Sequence, residues 1–204
     1  MQQRAIETKA KILAAALHEF SEKGFHGTTV DEICARAGVN KQRIYAYYTN
    51  KENLFAEVLK SSFDGIVADE QSFLNLLEDD LSHLDEILLR HYFSYHQSHP
   101  DFWRLIAWEN LDGGRHLEVL KGHRTKTFQH LRKLYQSGQA KGYFRTEVSF
   151  ETYMFAISAI PFFYYSNRLT MSQTLEINLR DDSVRETVIQ ECLQILKAHQ
   201  LSRP

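Results

Sequence analysis

Apolar residues recur every three to four positions along nearly the whole chain, and that period predicts helix after helix. Only three prolines (100, 161 and 204) and nine glycines interrupt 204 residues, so the pattern predicts an all-α fold of about nine helices. A first helix is expected over residues 4–23, with Ile12, Leu13, Ala16, Leu17 and Phe20 inward and Gly24 ending it. Thr29 followed by Glu32 reads as a capping box, which starts a second helix at Val30. Ile33, Cys34 and Ala37 share one side of it, and Gly38 can leave it in the left-handed conformation. Val39 anchors the turn, and Asn40 caps a short third helix with Ile44 and Tyr48 inward. Its outward residues are Lys41, Gln42, Arg43, Tyr45 and Tyr47. Asn50, with Asn53 three residues on, caps a fourth helix carrying Leu54, Phe55, Val58, Leu59, Phe63 and Ile66 on one side.

Beyond it the punctuation thins. Residues 71–80 read as a short helix carrying Phe73, Leu74 and Leu77 and ending in an acidic loop. A helix over 81–99 would bury Leu84, Ile87, Leu88, His91, Tyr92 and Tyr95. Pro100 suits the first turn of the next, which holds Phe102, Trp103, Ile106 and Trp108 and stops at Asp112-Gly113-Gly114. A long helix is expected over 115–141, with Leu117, Leu120, Phe128, Leu131, Leu134 and Tyr135 on one face, then Gly142. The next is apolar nearly all round from Tyr153 to Tyr165, and Pro161 is expected to kink it. A helix without a polar face must bury both sides. It is either a core helix or half of an interface with a second copy. The last helix, 182–199, carries Val184, Val188, Ile189, Cys192, Leu193, Ile195 and Leu196 on a broad face, after a loop over 170–181.

The second and third helices form a helix–turn–helix, whose second member suits the DNA major groove. Arg bonds a guanine edge in bidentate fashion and Gln an adenine edge, Lys serves either guanine or phosphate, and Tyr hydroxyls and the Lys51 ammonium suit phosphate oxygens. The same residues could be a solvated polar face. The capped first helix, the glycine turn and the basic second helix occurring together favour DNA. The net charge of −2 alone argues against it, but residues 1–55 hold eight Lys and Arg against six Asp and Glu, and the rest sixteen against twenty. The head is thus +2 and the remainder −4, the asymmetry expected of a DNA-binding head on an acidic body.

Ile12, Leu13, Ala15, Ala16, Phe20, Gly24, Phe25, Thr28-Thr29-Val30, Ile33, Ala37-Gly38-Val39, Lys41, Ile44 to Tyr48 and Lys51 to Phe55 together resemble the N-terminal domain of TetR-family transcriptional regulators. Cys34 stands where that family usually has Ala, Tyr48 where it has Phe, and Ala46 where His or Tyr is common. The resemblance implies a DNA-binding domain over 1–50 and a ligand-binding and dimerisation domain over 51–204, joined by the fourth helix. It implies a homodimer through helices 8 and 9, double-stranded DNA with a palindromic operator as partner, and most often repression relieved by a small-molecule effector. The candidate DNA contacts are Thr29, Lys41, Gln42, Arg43, Tyr45, Tyr47 and Lys51. His91, Tyr95, Trp103, Trp108, Phe128, Phe155 and Phe162 are candidates to line an effector pocket, with Arg104 or Glu109 as further polar groups.

Other chemistry is sparse. His116, His123 and His130 repeat every seven residues, which on one helix puts neighbours ~10 Å apart, too far to share a metal ion. They read as a solvated stripe, and no metal or cofactor is expected. Cys34 and Cys192 are far apart, pointing to a reducing compartment, and no apolar run reaches membrane-span length, so a cytoplasmic location is expected. No phosphate loop, nucleophile elbow or isolated carboxylate pair suggests an enzyme. The alternative is a helical ligand-binding or scaffolding protein without DNA affinity.

Overall fold

Capping side chains fix the helix starts around the turn motif where the sequence places them. In the computed structural model, which describes residues 2–122 and 125–197, Thr29 accepts the Glu32 N–H and Glu32 returns a bond to the Thr29 N–H at 2.8 Å. Asn40 accepts from the Arg43 N–H at 2.9 Å and Asn50 from the Asn53 N–H at 2.7 Å. These caps open α2 (Val30–Ala37), α3 (Lys41–Tyr48) and α4 (Lys51–Asp69), which follow α1 (Gln2–Gly27). The chain continues through α5 (Leu84–Ser98), α6 (Pro100–Leu111), α7 (Thr125–Ala140), α8 (Phe150–Thr174) and α9 (Asp182–Lys197). Short 3₁₀ turns lie at Glu70–Asn75, Glu78–His83 and Leu117–Leu120, and the described residues contain no strand.

The contacts divide the chain into two units, Met1–Ala68 with His99–His123, and Asp69–Ser98 with Arg124–Pro204. The sequence division at residue 50 does not anticipate that α6 packs with the turn motif. The reason is α1. Gly24 breaks that helix at φ +70°, and the Trp108 ring lies where a side chain would stand, 2.9 Å from an added Cβ. The Trp108 indole N–H donates to the Ser21 carbonyl at 3.2 Å, Ser21 Oγ donates to Asp101 at 3.0 Å, and Arg104 pairs with Glu22. Ile12, Ala16, Phe20, Ile33, Ile44, Leu54, Phe55, Leu59 and Leu105 are fully buried together in this unit.

A chain of charges locks α2 onto α1. The buried Glu19 carboxylate accepts from Lys23 Nζ at 2.8 Å and from Arg36 Nε at 2.6 Å, and Lys23 reaches on to Glu32 at 2.7 Å. Bonds from Lys23 and Arg36 hold the Glu19 pKa below the usual range. Lys23, with the N–H and hydroxyl of Thr29, lowers that of Glu32 to about 2.

In the second unit α5 is the central helix, packed by α8 and α9. It buries Leu84, Leu88, Leu89, Tyr92 and Phe93, and Arg90 makes two bonds to Glu186 of α9 at 2.7 and 3.1 Å. The buried Asp85, which no periodicity marks, accepts from the Tyr153 hydroxyl at 2.8 Å.

Several expectations need correction. Residues 115–141 are not one helix: left-handed Gly114 and Gly122 leave only a 3₁₀ turn before α7 begins at Thr125. His116 and His130 therefore do not share one helix. His116 bonds the buried Glu109, His130 bonds the Leu76 carbonyl at 3.0 Å, and His123 lies outside the described residues. Phe73 is buried, but the chain turns at Leu76, and Leu74 and Leu77 are exposed. α8 runs through Pro161 as one continuous helix to Thr174, further than expected, and the expected end of α9 at His199 lies outside the described residues.

Gly24 and Gly38 separate two costs. Both hold φ near +70°, but an added Cβ meets nothing within 4 Å at Gly38. Gly38→Ala should cost only the backbone strain of about 1–3 kcal/mol, and Gly24→Ala measurably more, read as urea-denaturation midpoints. The depressed Glu32 pKa gives the second expectation. A lowered carboxylate pKa stabilises the fold above its ordinary value near 4.5, and that contribution is lost as pH falls toward 2. Glu32→Gln should therefore flatten the fall in thermal unfolding midpoint over that window.

Candidate nucleic-acid interface

α3 has eight residues and two faces. Ile44 is fully buried and Tyr48 is 5 % exposed, while Lys41, Gln42, Arg43, Tyr45, Ala46 and Tyr47 are all exposed. The Tyr48 hydroxyl finds no hydrogen-bond partner among the described residues, and burial pushes its pKa up to about 12. Tyr48 thus packs as a Phe would, which explains why the substitution noted in the sequence leaves the local fold intact. The exposed face holds Gln42 and Arg43, each able to bond a base edge through two atoms, beside the phenol groups of Tyr45 and Tyr47. Lys41 pairs with Asp31 at 2.8 Å, which raises its pKa. Both side chains are more than half exposed, so solvent screens the pair and it yields readily to a phosphate.

Two other sequence candidates are engaged within the protein. The Thr29 hydroxyl donates to Glu32 at 2.8 Å as part of the capping box. The Lys51 ammonium bonds the carbonyls of Phe25 at 2.8 Å and Thr28 at 2.9 Å, and stands 4.3 Å over the Phe25 ring. Thr28 in turn donates to the Glu19 and Gly24 carbonyls, both at 2.9 Å. Carbonyls released at the end of α1 are thereby satisfied from the start of α4. Sequence reading missed this because a Lys at a helix start looks the same whether it faces solvent or its own backbone. Between α3 and α4, Thr49 adopts φ 65°, a strained value for a non-glycine residue, and sets the angle at which α4 leaves.

A buried polar pair also escaped the sequence. Glu109, 1 % exposed, accepts the His116 backbone N–H at 2.6 Å and lies 3.1 Å from its Nδ1, and the imidazole packs on the rings of Phe25 and Phe55. Glu109 is thus a packing group of the first unit and Arg104 its surface ion pair.

The seven candidate pocket residues are divided between the two units. Trp103 and Trp108 belong to the first unit, and the others to the second. Phe155 is 75 % exposed, on the outer surface of α8. His91 packs against Phe73 and lies 3.2 Å from Asp69, Tyr95 and Phe162 pack near His96, and Phe128 lies by Phe150. A cavity of about 200 Å³ in the second unit is lined by Asp85, Tyr135, Phe144, Arg145, Val148, Thr152, Tyr153, Ala156 and Leu196. Periodicity marks Tyr135 and Tyr153 as core, and nothing in the sequence marks Asp85 or Arg145 as their neighbours. Among the described residues no three His, Cys, Asp or Glu groups could hold a metal ion, and no helix is long and apolar enough to cross a membrane.

Comparison with known proteins agrees with this geometry. The family model for bacterial regulatory proteins of the tetR family matches residues 12–58, and that for the tetracyclin repressor-like C-terminal domain matches residues 85–195. The HTH-type transcriptional repressor NicS of Pseudomonas putida is 33 % identical over 189 residues, covering 90 % of this chain and 87 % of its own. RutR, an HTH-type transcriptional regulator of Escherichia coli, is 35 % identical over 113 residues, 54 % of this chain and 51 % of its own. A crystal structure of a TetR family transcription regulator from Marinobacter aquaeolei superposes with a TM-score of 0.74 over the full length of both chains at 19 % identity, a likeness of fold. The matched N-terminal model covers the capped turn motif and the matched C-terminal model most of the second unit, and the chain belongs to the TetR family of DNA-binding transcriptional regulators, which are not enzymes.

Proposed function

We propose that this regulator is a cytoplasmic homodimeric repressor that binds a palindromic operator and is released by a small-molecule effector. The observation that carries the DNA side is the two-faced α3, with Ile44 and Tyr48 buried and a bidentate-capable polar face outward. Arg43 and Gln42 take the base edges, and Lys41, Tyr45 and Tyr47 the phosphates. Thr29 acts by capping α2, and its exposed position leaves a phosphate contact open to it. Lys51 acts first by holding the turn before α2, with one N–H left after its two carbonyl bonds.

The dimer rests on α8 and α9. Phe155, Phe163 and Leu169 of α8 are 75, 52 and 65 % exposed, and Ile195 of α9 is 65 % exposed. Large apolar side chains left outward on two long helices suit a second copy of the same surface, and a two-fold pair of heads reads two half-sites. Repression follows the relative NicS, which is similar over most of its length. The effector would bind in the second unit and act on the heads through α4, whose first residue is Lys51. Near-complete switching requires the effector to prefer one state by about 10⁴-fold.

Gel shifts with DNA flanking the protein's own coding region test the reading. Arg43→Ala or Gln42→Ala should cost about 1–3 kcal/mol of operator affinity and relax preference at one base position. Lys51→Ala should lower the unfolding midpoint and the affinity together, with the slope of log affinity against log salt unchanged; loss of a phosphate contact would reduce it by about 0.9. For the dimer, Phe155→Glu combined with Ile195→Glu should sediment as a monomer where the wild type sediments as a dimer. A monomeric wild type at micromolar concentration would remove the pairing.

A further inference from the structure

We propose that the cavity of the second unit binds an uncharged compound built on one aromatic ring or a small fused pair. The proposal rests on the effector reading above and gives it a place and a chemistry. Three rings build one wall. Tyr153 stacks on Tyr135 with centroids 4.6 Å apart and planes 28° apart, and Tyr135 stacks on Phe144 at 4.8 Å and 22°. Both phenol groups are engaged, Tyr135 donating to the Val148 carbonyl at 3.1 Å and Tyr153 to Asp85 at 2.8 Å. What the rings offer the cavity is therefore aromatic carbon, held in fixed orientation.

Gly138 shows how that wall is seated. It lies inside α7, where glycine weakens a helix, and an added Cβ would stand 2.5 Å from the Phe144 ring. The missing side chain is what lets Phe144 lie against the helix and stack on Tyr135. Val148, Ala156 and Leu196 complete the apolar lining, and the exposed Arg145 and Thr152 mark its open side.

Size and charge then select the ligand. An apolar cavity of about 150 Å³ accepts benzene, whereas sites for drug-sized molecules run to about 300–1,000 Å³. At about 200 Å³ this one admits one ring or a small fused pair and excludes long acyl chains. Val148, Ala156, Leu196 and the three rings are apolar, so a charged ligand would lose its hydration against them. A neutral ring meets no such cost.

The test is calorimetric titration of the full chain with phenol and indole as probes, beside decanoate and benzoate. Two variants fill the space from different elements, Ala156→Leu on α8 and Val148→Phe in the preceding loop. Each is checked by its thermal unfolding midpoint, and the one that keeps a wild-type midpoint is read. Saturable binding of phenol or indole to the wild type is expected, weakened by at least about tenfold in the filled variant. The proposal is overturned if neither probe binds saturably, if the filled variant binds as well as the wild type, or if decanoate or benzoate binds more tightly. Operator gel shifts with the bound probe separate the two readings. Probe binding that is lost on filling but leaves DNA affinity unchanged supports the site and removes the effector reading.

Discussion

The turn motif depends on the Lys51 ammonium, because that group satisfies backbone that would otherwise be stranded. Gly24 ends the regular part of α1, and the segment that follows must turn within a few residues to start α2. Carbonyls released there cannot find helical partners. Lys51 takes two of them, those of Phe25 and Thr28, and Thr28 covers the Glu19 and Gly24 carbonyls with its hydroxyl. An unsatisfied buried polar group costs about 1–3 kcal/mol, so this arrangement matters on the scale of a small domain's stability. Because the cation comes from the first residue of α4, the end of α1, the start of α2 and the start of α4 are held as one piece. α3 lies between two of those fixed points, and its orientation follows.

The same piece is tightened by charge from the other side. Glu19 is buried, and bonds from Lys23 and Arg36 favour its charged form. Burying an ion pair is seldom a large net gain, but leaving one partner alone is costly. That asymmetry makes the network a device for specifying geometry: α2 can sit on α1 in the one register that brings Arg36 to Glu19. Lys23 then carries the constraint to the capping box through Glu32. Three of the eight basic residues in the first 55 thus have internal partners in Glu19 or the backbone. The modest positive surplus of the head overstates what is available to DNA.

Which features were legible follows from how local their causes are. Thr29 and Glu32, Gly38, Asn40 and Asn50 act within three or four residues of themselves, and the sequence names them correctly. The inward stripe of α4 is equally local. The partners of Lys51, Glu109 and Asp85 lie 7 to 68 residues away, and periodicity cannot supply them. His116 was misread for a related reason: its spacing to His130 matters only if one helix joins them, and Gly122 prevents that. The candidate pocket shows the limit most plainly. Periodicity puts Tyr135 and Tyr153 on inward faces, but that they wall a cavity together with Phe144, from two helices and a loop, needs the fold. Phe144 is held there by Gly138, a residue whose sequence signature is only an oddly placed glycine.

The sparse cations of α3 bear on what a pair of heads would add in the proposed dimer. Affinity for DNA rises with the number of phosphates neutralised, and one α3 with Lys41 and Arg43 offers few. Joining two such heads makes the second binding event intramolecular, with an effective concentration that can raise affinity by about 10²–10⁴ without any new contact. The gain exists only while both heads reach their half-sites. An effector that disturbs that condition need not touch the DNA-facing residues at all, and a weakly basic head makes the switch sharper, since one head alone holds little. In the proposed dimer, the apolar side chains left outward on α8 and α9 and the polar face of α3 would be two halves of one requirement, modest affinity of one head made useful by pairing.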